Sequence, residues 1–222
     1  MRARATRVAV ALVAAVVMVG ASGAFATVGD ITTFTDPAGN VSYALEIAAG
    51  PDGNLWFTNF ANGRIGRITP DGVITTFTDP DGMVDGPDGI AAGPDGNLWF
   101  TSGFNNRIGR ITTDGVITTF PVPDCNLSCP DGITAGPDGN LWFTSQQNDW
   151  IGRIATDGVI TTFRDPAGNV HGPLGITTGP DTNMWFTSTI NDRIGRIATT
   201  GPEPGPPPAP PEPVVVAPRF TG

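Results

Sequence analysis

Gly93-Pro94-Asp95-Gly96-Asn97-Leu98-Trp99-Phe100-Thr101, followed by Arg107-Ile108-Gly109-Arg110-Ile111 and Asp114-Gly115-Val116-Ile117-Thr118-Thr119-Phe120, is the stretch that decides the fold. It returns along the chain. Gly-Pro-Asp recurs at Gly50, Gly93, Gly136 and Gly179, 43 residues apart each time, and Trp56, Trp99, Trp142 and Trp185 keep the same spacing. Arg67, Arg110, Arg153 and Arg196 do likewise, as do the Ile-Thr-Thr-Phe runs beginning at Ile31, Ile74, Ile117 and Ile160. Residues 50–92 and 93–135 agree at 30 of 43 positions, so the chain is a recent tandem duplication.

Each unit holds four short runs rich in β-branched and aromatic residues, and no helical period appears. In the second unit they are Gly89–Ala92, Leu98–Thr101, Arg107–Thr112 and Val116–Phe120. Asp-Gly and Pro-Asp-Gly-Asn turn signals separate them. Four strands per 40–45 residues is the pattern of a β-propeller blade. Middle strands buried on both faces suit Leu-Trp-Phe. Small residues such as Ala91-Ala92 suit an innermost strand crowded about an axis. The expected fold is all-β, a propeller of four four-stranded blades. Ile31–Phe34 reads as an outer strand that precedes its blade, whereas the fourth unit stops after three strands. The N-terminal run is therefore expected to complete the last blade and clasp a closed ring; an open arc that pairs with a second copy is the alternative.

Composition bounds the rest. There are 18 Asp, 3 Glu, 12 Arg and no Lys, with a net charge of −9. Thirteen of the 18 Asp directly precede Gly or Pro, so the acidity follows the turns. An acidic chain without Lys excludes phosphate-backbone binding, hence nucleic acid. Arg2, Arg4 and Arg7, the apolar run Val8–Val19 and Ala24-Phe25-Ala26 predict a signal peptide over 1–26. Twelve apolar residues fall short of a membrane span, although an uncleaved anchor is the rival reading. Cleavage would take the net charge to −12 and leave a secreted protein with the propeller over 27–200 and no transmembrane segment. Residues 201–222 contain nine Pro and read as a disordered tail or a linker.

In an oxidising compartment, Cys125 and Cys129 read as a local disulfide; zinc would need further ligands, and His171 is the only histidine. Asp79, Asp81, Asp85 and Asp88 share a loop, an oxygen-rich grouping that suits Mg²⁺ or Ca²⁺ or serves as turn chemistry. Trp150 stands where the other units carry Arg64, Arg107 and Arg193, and is expected either to stack on a ligand or to pack between blades. The recurring Arg of Arg-Ile-Gly-Arg is expected to contact turn Asp or carbonyl groups.

Gly-Pro-Asp-Gly-Asn-Leu-Trp-Phe-Thr with Arg-Ile-Gly-Arg-Ile-Thr-x-Asp-Gly-Val-Ile-Thr-Thr-Phe resembles the blade repeat of the streptogramin B lyases, the virginiamycin B lyase family, over about residues 30–198. The resemblance implies seven blades and Mg²⁺-assisted elimination that opens the ester-linked ring of streptogramin B antibiotics. It also implies Glu-Pro-His-Gly-Ile and Pro-His segments at inner strands. Here the matching segments read Gly86-Pro87-Asp88-Gly89-Ile90, Cys129-Pro130-Asp131-Gly132-Ile133, Gly172-Pro173-Leu174-Gly175-Ile176 and Tyr43-Ala44-Leu45-Glu46-Ile47. Asp88, Asp131, Leu174 and Leu45 thus stand at the histidine positions. Two functions follow. One is a non-catalytic propeller binding a small molecule or a cell-surface partner; the other is a metal-dependent lyase with His171 as base and Asp88 and Asp131 near the metal.

Overall fold

Each Leu-Trp-Phe run lies second in an antiparallel sheet, between a strand of small residues and the Arg-Ile-Gly-Arg-Ile strand. In the computed structural model residues 28–123, 125 and 129–201 are described. The expected leader falls outside them, as does the Pro-rich segment beyond Gly201. The chain divides at Thr33: residues 28–33 of the first unit hold a turn and no strand, and all the blades lie in the second unit.

Blade 1 comprises β1 (Ala44–Ala49), β2 (Leu55–Asn59), β3 (Arg64–Ile68) and β4 (Ile74–Thr78). Blade 2 comprises β5 (Pro87–Ala92), β6 (Leu98–Ser102), β7 (Arg107–Ile111) and β8 (Ile117–Pro121). Blade 3 comprises β9 (Ile133–Ala135), β10 (Leu141–Ser145), β11 (Trp150–Ile154) and β12 (Ile160–Arg164). Blade 4 has β13 (Pro173–Thr178), β14 (Met184–Ser188) and β15 (Arg193–Ile197). Every sheet is an up-and-down meander in sequence order. Register repeats with the sequence: Trp56 faces Arg67, Trp99 faces Arg110, Trp142 faces Arg153 and Trp185 faces Arg196.

The recurring Trp, Asp and Arg form one device. The indole Nε1 of Trp99 donates to Asp95 Oδ1 at 3.0 Å, and the Arg110 guanidinium lies 5.6 Å from the Trp99 ring centroid. That ring stacks on Phe120 at 5.5 Å, and the same guanidinium lies 5.8 Å from the Phe120 ring. Arg67 and Arg110 also reach forward, donating to the Thr113 and Thr156 carbonyls of the next blades at 3.1 and 3.3 Å. The structural role expected for these arginines is the one observed.

Blade packs on blade through the inner strands, β1 on β5, β5 on β9 and β9 on β13. Three apolar clusters fill the spaces between successive blades, one around Trp56, Leu98 and Phe100, the next around Trp99, Leu141 and Phe143, the third around Trp142, Met184 and Phe186. Cys125 and Cys129 form a disulfide with Cα atoms 6.1 Å apart, and Cys129 is buried in the second cluster. The expected clasp is corrected. Residues 31–34 form no strand, and blade 4 has three strands. The outward faces of blades 1 and 4 leave Leu45, Ile47, Leu174 and Ile194 exposed, so the four blades stand as an arc. An outer strand needs a ladder partner for its backbone groups, and among the described residues β15 has none on its outer side.

Candidate functional site at the inner strands

The second and third inner strands approach their successors closely at a glycine. A Cβ on Gly89 would lie 2.8 Å from the Asp131 carbonyl, and one on Gly132 would lie 2.6 Å from that of Leu174. A threonine from each second strand bridges the gap. Thr101 Oγ1 accepts from Gly89 N at 2.8 Å and donates to the Asp131 carbonyl at 2.6 Å. Thr58 makes the same bridge from Glu46 N to the Asp88 carbonyl, and Thr144 from Gly132 N to that of Leu174. These bridges hold residues 88, 131 and 174 in equivalent places at the inner edge.

Asp88 and Asp131 therefore stand side by side on β5 and at the head of β9, both half-buried. A third carboxyl joins them. Glu46 reaches from β1 to the second blade, where Oε2 accepts from Ile90 N at 3.1 Å. Loss of water raises the pKa of all three. Asp131 is pushed up to about 6 by burial, with the Asp88 charge adding to the rise and the Gln146 N–H opposing it. Asp88 also repels Glu46, so the three share one electrostatic environment. Glu46 was missed as a site residue in the sequence; its signal was being the only Glu of the repeats, where the other units carry Gly89, Gly132 and Gly175.

This predicts a pH signature. A carboxyl held near 6 rather than about 4 corresponds to nearly 3 kcal/mol between its protonation states, cut by partial solvation to about 1–2 kcal/mol. Because the folded value is raised, that stability is fully present below pH 4 and is lost as pH rises through about 6. Asp131→Asn keeps an oxygen for Gln146 N and cannot ionise. It is expected to raise the urea midpoint at pH 7.5, worth about 1–2 kcal/mol, and to leave it unchanged at pH 4. An equal shift at both values would remove charge as the cause.

The other residues singled out in the sequence lie elsewhere. His171 sits on an exposed loop before β13, with Nδ1 3.3 Å from Asp149 Oδ2 and its backbone exchanging hydrogen bonds with Ser188 Oγ. Asp88, not His171, is the charge that acts on Asp131. Of the two roles open to Trp150, packing between blades is the one seen: it is fully buried, edge-on to Phe143 at 5.8 Å, in the core between blades 2 and 3. Its Nε1 has no hydrogen-bond partner. In the acidic loop, Asp79 takes the turn role that the sequence left open beside cation binding. Asp79 is buried and turns inward to accept from Asp81 N and Met83 N at 3.2 and 2.8 Å, which spends its oxygens on the turn. Among the described residues no three His, Cys, Asp or Glu side chains are grouped to hold a metal ion.

A propeller array with this inner edge can be set beside known proteins. The family model described as virginiamycin B lyase matches residues 5–203. The chain belongs to the virginiamycin B lyase family. The solved virginiamycin B lyase of Staphylococcus aureus is 43% identical with a TM-score of 0.71, over 78% of this chain and 58% of the lyase. A catalytically inactive histidine-to-alanine variant of that enzyme with quinupristin matches equally well. A streptogramin B lyase structure is 38% identical with a TM-score of 0.65, over 73% of this chain and 53% of the other. The chain thus spans a little over half the length of these lyases. A putative gluconolactonase at 18% identity and a TM-score of 0.57 shares the fold. No curated protein gives a significant match. With the virginiamycin B lyase family this chain shares the blade scaffold.

Proposed function

We propose that this chain is an exported member of the virginiamycin B lyase family that binds a small molecule or a surface partner at its inner edge without acting as the lyase. One observation carries the reading: the inner-strand positions hold Asp88, Asp131 and Leu174, while the one imidazole, that of His171, is engaged by Asp149 on an exposed loop. Elimination needs a base beside the abstracted proton, and the S. aureus enzyme is catalytically inactive when one histidine is replaced by alanine. The disulfide, and the lack of any helix among the described residues long and apolar enough to cross a membrane, are compatible with an extracellular setting.

A second reading, a Mg²⁺-dependent C–O lyase opening the streptogramin B lactone, is favoured by Asp131, whose pKa near 6 suits a carboxylate base at neutral pH. In that reading the Asp131 carboxylate takes the proton beside the ester, the C–O bond breaks and a carboxylate leaves. Mg²⁺, when bound, would supply polarisation of the ester oxygen.

The test incubates residues 27–222 with a streptogramin B substrate, Mg²⁺ present or chelated, followed by chromatography and mass spectrometry. Elimination opens the ring at unchanged mass, whereas hydrolysis adds one water. The expected result is an intact substrate. A Mg²⁺-dependent opened product of unchanged mass, with a rate that rises through pH 6 and is lost in Asp131→Asn, would replace the binding reading by the lyase.

A further inference from the structure

The arc ends on two faces that the repeat makes complementary. Ile65, Ile108 and Ile151 occupy one repeat position and are 0%, 0% and 3% exposed beneath the next blade; Ile194, their fourth counterpart, is 67% exposed. At the other end Ile47 is 59% exposed, against 4% for its counterpart Ile90. The polar contacts run out in the same way. Thr58, Thr101 and Thr144 each donate to the inner strand of the following blade. Thr187 accepts from Gly175 N as the others do from their strands, and the carbonyl at its next repeat position is that of Leu45, at the opposite end of the array.

The missing outer strand fits the same gap. Phe77 lies over Gly115 and Phe120 over Gly158, each outer strand covering the turn of the following blade. Phe34 lies over Gly72 in the same manner, with a Cβ on Gly72 only 2.1 Å from Phe34 Cδ1. Residues 34–36 wall a cavity of about 550 Å³ with Val41, Ile47 and Phe57 on the face of blade 1. They are placed as the tail of an outer strand whose own blade is not in front of them. The segment at the repeat's outer-strand position is Ile31-Thr32-Thr33-Phe34-Thr35, and in the described structure the three-stranded sheet of blade 4 ends at β15. From the pairing of β3 with β4, where Arg67 faces Thr75, the register on β15 would set Arg196 opposite Thr32 and Ile194 opposite Phe34.

We infer that two copies close on each other head to tail, residues 31–35 of each adding the fourth strand to blade 4 of the other, so that blade 4 of one packs on blade 1 of its partner at both junctions. The interface continues the one already built three times within the chain. Each junction joins unlike faces, and a two-fold axis exchanges the two junctions, so each strand edge and each apolar face is used once and the whole contact is isologous. The result is eight blades, within the range that propellers adopt. One axis would then be ringed by two sets of Glu46, Asp88 and Asp131, so the inner-edge site is complete only in the pair.

The test uses residues 27–222, which include every described residue, carrying Thr32→Cys and Arg196→Cys. Sedimentation equilibrium is expected to give twice the mass of one copy. Mild oxidation is expected to yield a covalent dimer on a non-reducing gel. Ile194→Arg and Ile47→Arg, each placed on a surface already exposed in one copy, are expected to give monomers with an unchanged circular dichroism spectrum. A chain that stays monomeric, whether unlinked or with its two new cysteines joined internally, overturns the inference. So does a dimer in which neither arginine variant changes the mass, or a ladder of species above two copies.

Discussion

Gly109→Ala is expected to cost about 3 kcal/mol or more, at the upper end of what overpacking a core produces. Gly109 sits opposite Phe100 in the ladder between β6 and β7, and the fully buried Phe100 ring lies flat across it. A Cβ there would stand 2.0 Å from Phe100 Cζ and 2.3 Å from Cε2. The ring is wedged in the core between blades 1 and 2, so it cannot swing aside. Emptying the space should rescue the alanine: in a Phe100→Val background the same substitution is expected to cost under about 1 kcal/mol, a coupling that a double-mutant cycle reads directly from urea midpoints. If Gly109→Ala costs the same in both backgrounds, the glycine is there for its backbone and not for the ring. The same pair recurs as Phe57 with Gly66, Phe143 with Gly152 and Phe186 with Gly195, so the Gly of Arg-Ile-Gly-Arg is a packing residue throughout.

Trp99→Ala is the second large loss, about 3–5 kcal/mol for a buried indole. Three contacts go at once: the stack on Phe120, the guanidinium of Arg110 above it, and the Nε1 bond that fixes the Asp95 turn. Asp95 is held below the usual carboxylate range in part by hydrogen bonds from Asn97 and the Trp99 indole, against the opposing effect of burial. Trp185 offers the contrast. With Met184 before it where Trp99 has Leu98, it keeps the bond to its turn aspartate, Asp181, at 2.8 Å and an arginine, Arg196, above its ring, yet it is only half-buried, and no further blade among the described residues packs on it. In the Ile194→Arg background, where copies are expected to stay apart, Trp185→Ala should cost clearly less than Trp99→Ala. Equal costs, read from thermal midpoints, would show that the indole acts within its own sheet rather than between blades.

The inner-edge site was partly legible. Asp88 and Asp131 stand out in the sequence because they repeat at the first residue after an inner-strand proline. Their neighbour Glu46 does not, since its carboxyl crosses to another blade and no local pattern marks a side chain that reaches 44 positions along the chain. Trp150 left two roles open in the sequence, because a Trp replacing an arginine at a strand start suits a ligand face or a blade interface equally; the packing of blade 2 against blade 3 buries it.

What the sequence by itself determined is everything that lies within one 43-residue unit: four strands, their meander order, their register, and the Trp, Asp and Arg that lock each turn. Those contacts join residues close along the chain, and local turn chemistry and alternation specify them. The tertiary structure decided what depends on one unit meeting another. That includes the arc in place of the ring, the burial of Trp99 and Trp150 against the exposure of Ile194, and the pairing of His171 with Asp149. The three desolvated carboxyls meet at one edge for the same reason. Nearly identical units carry nearly identical patterns, so the pattern cannot say which unit has a neighbour. Only the packing of blade on blade, and its absence at the two ends, makes equivalent residues unequal.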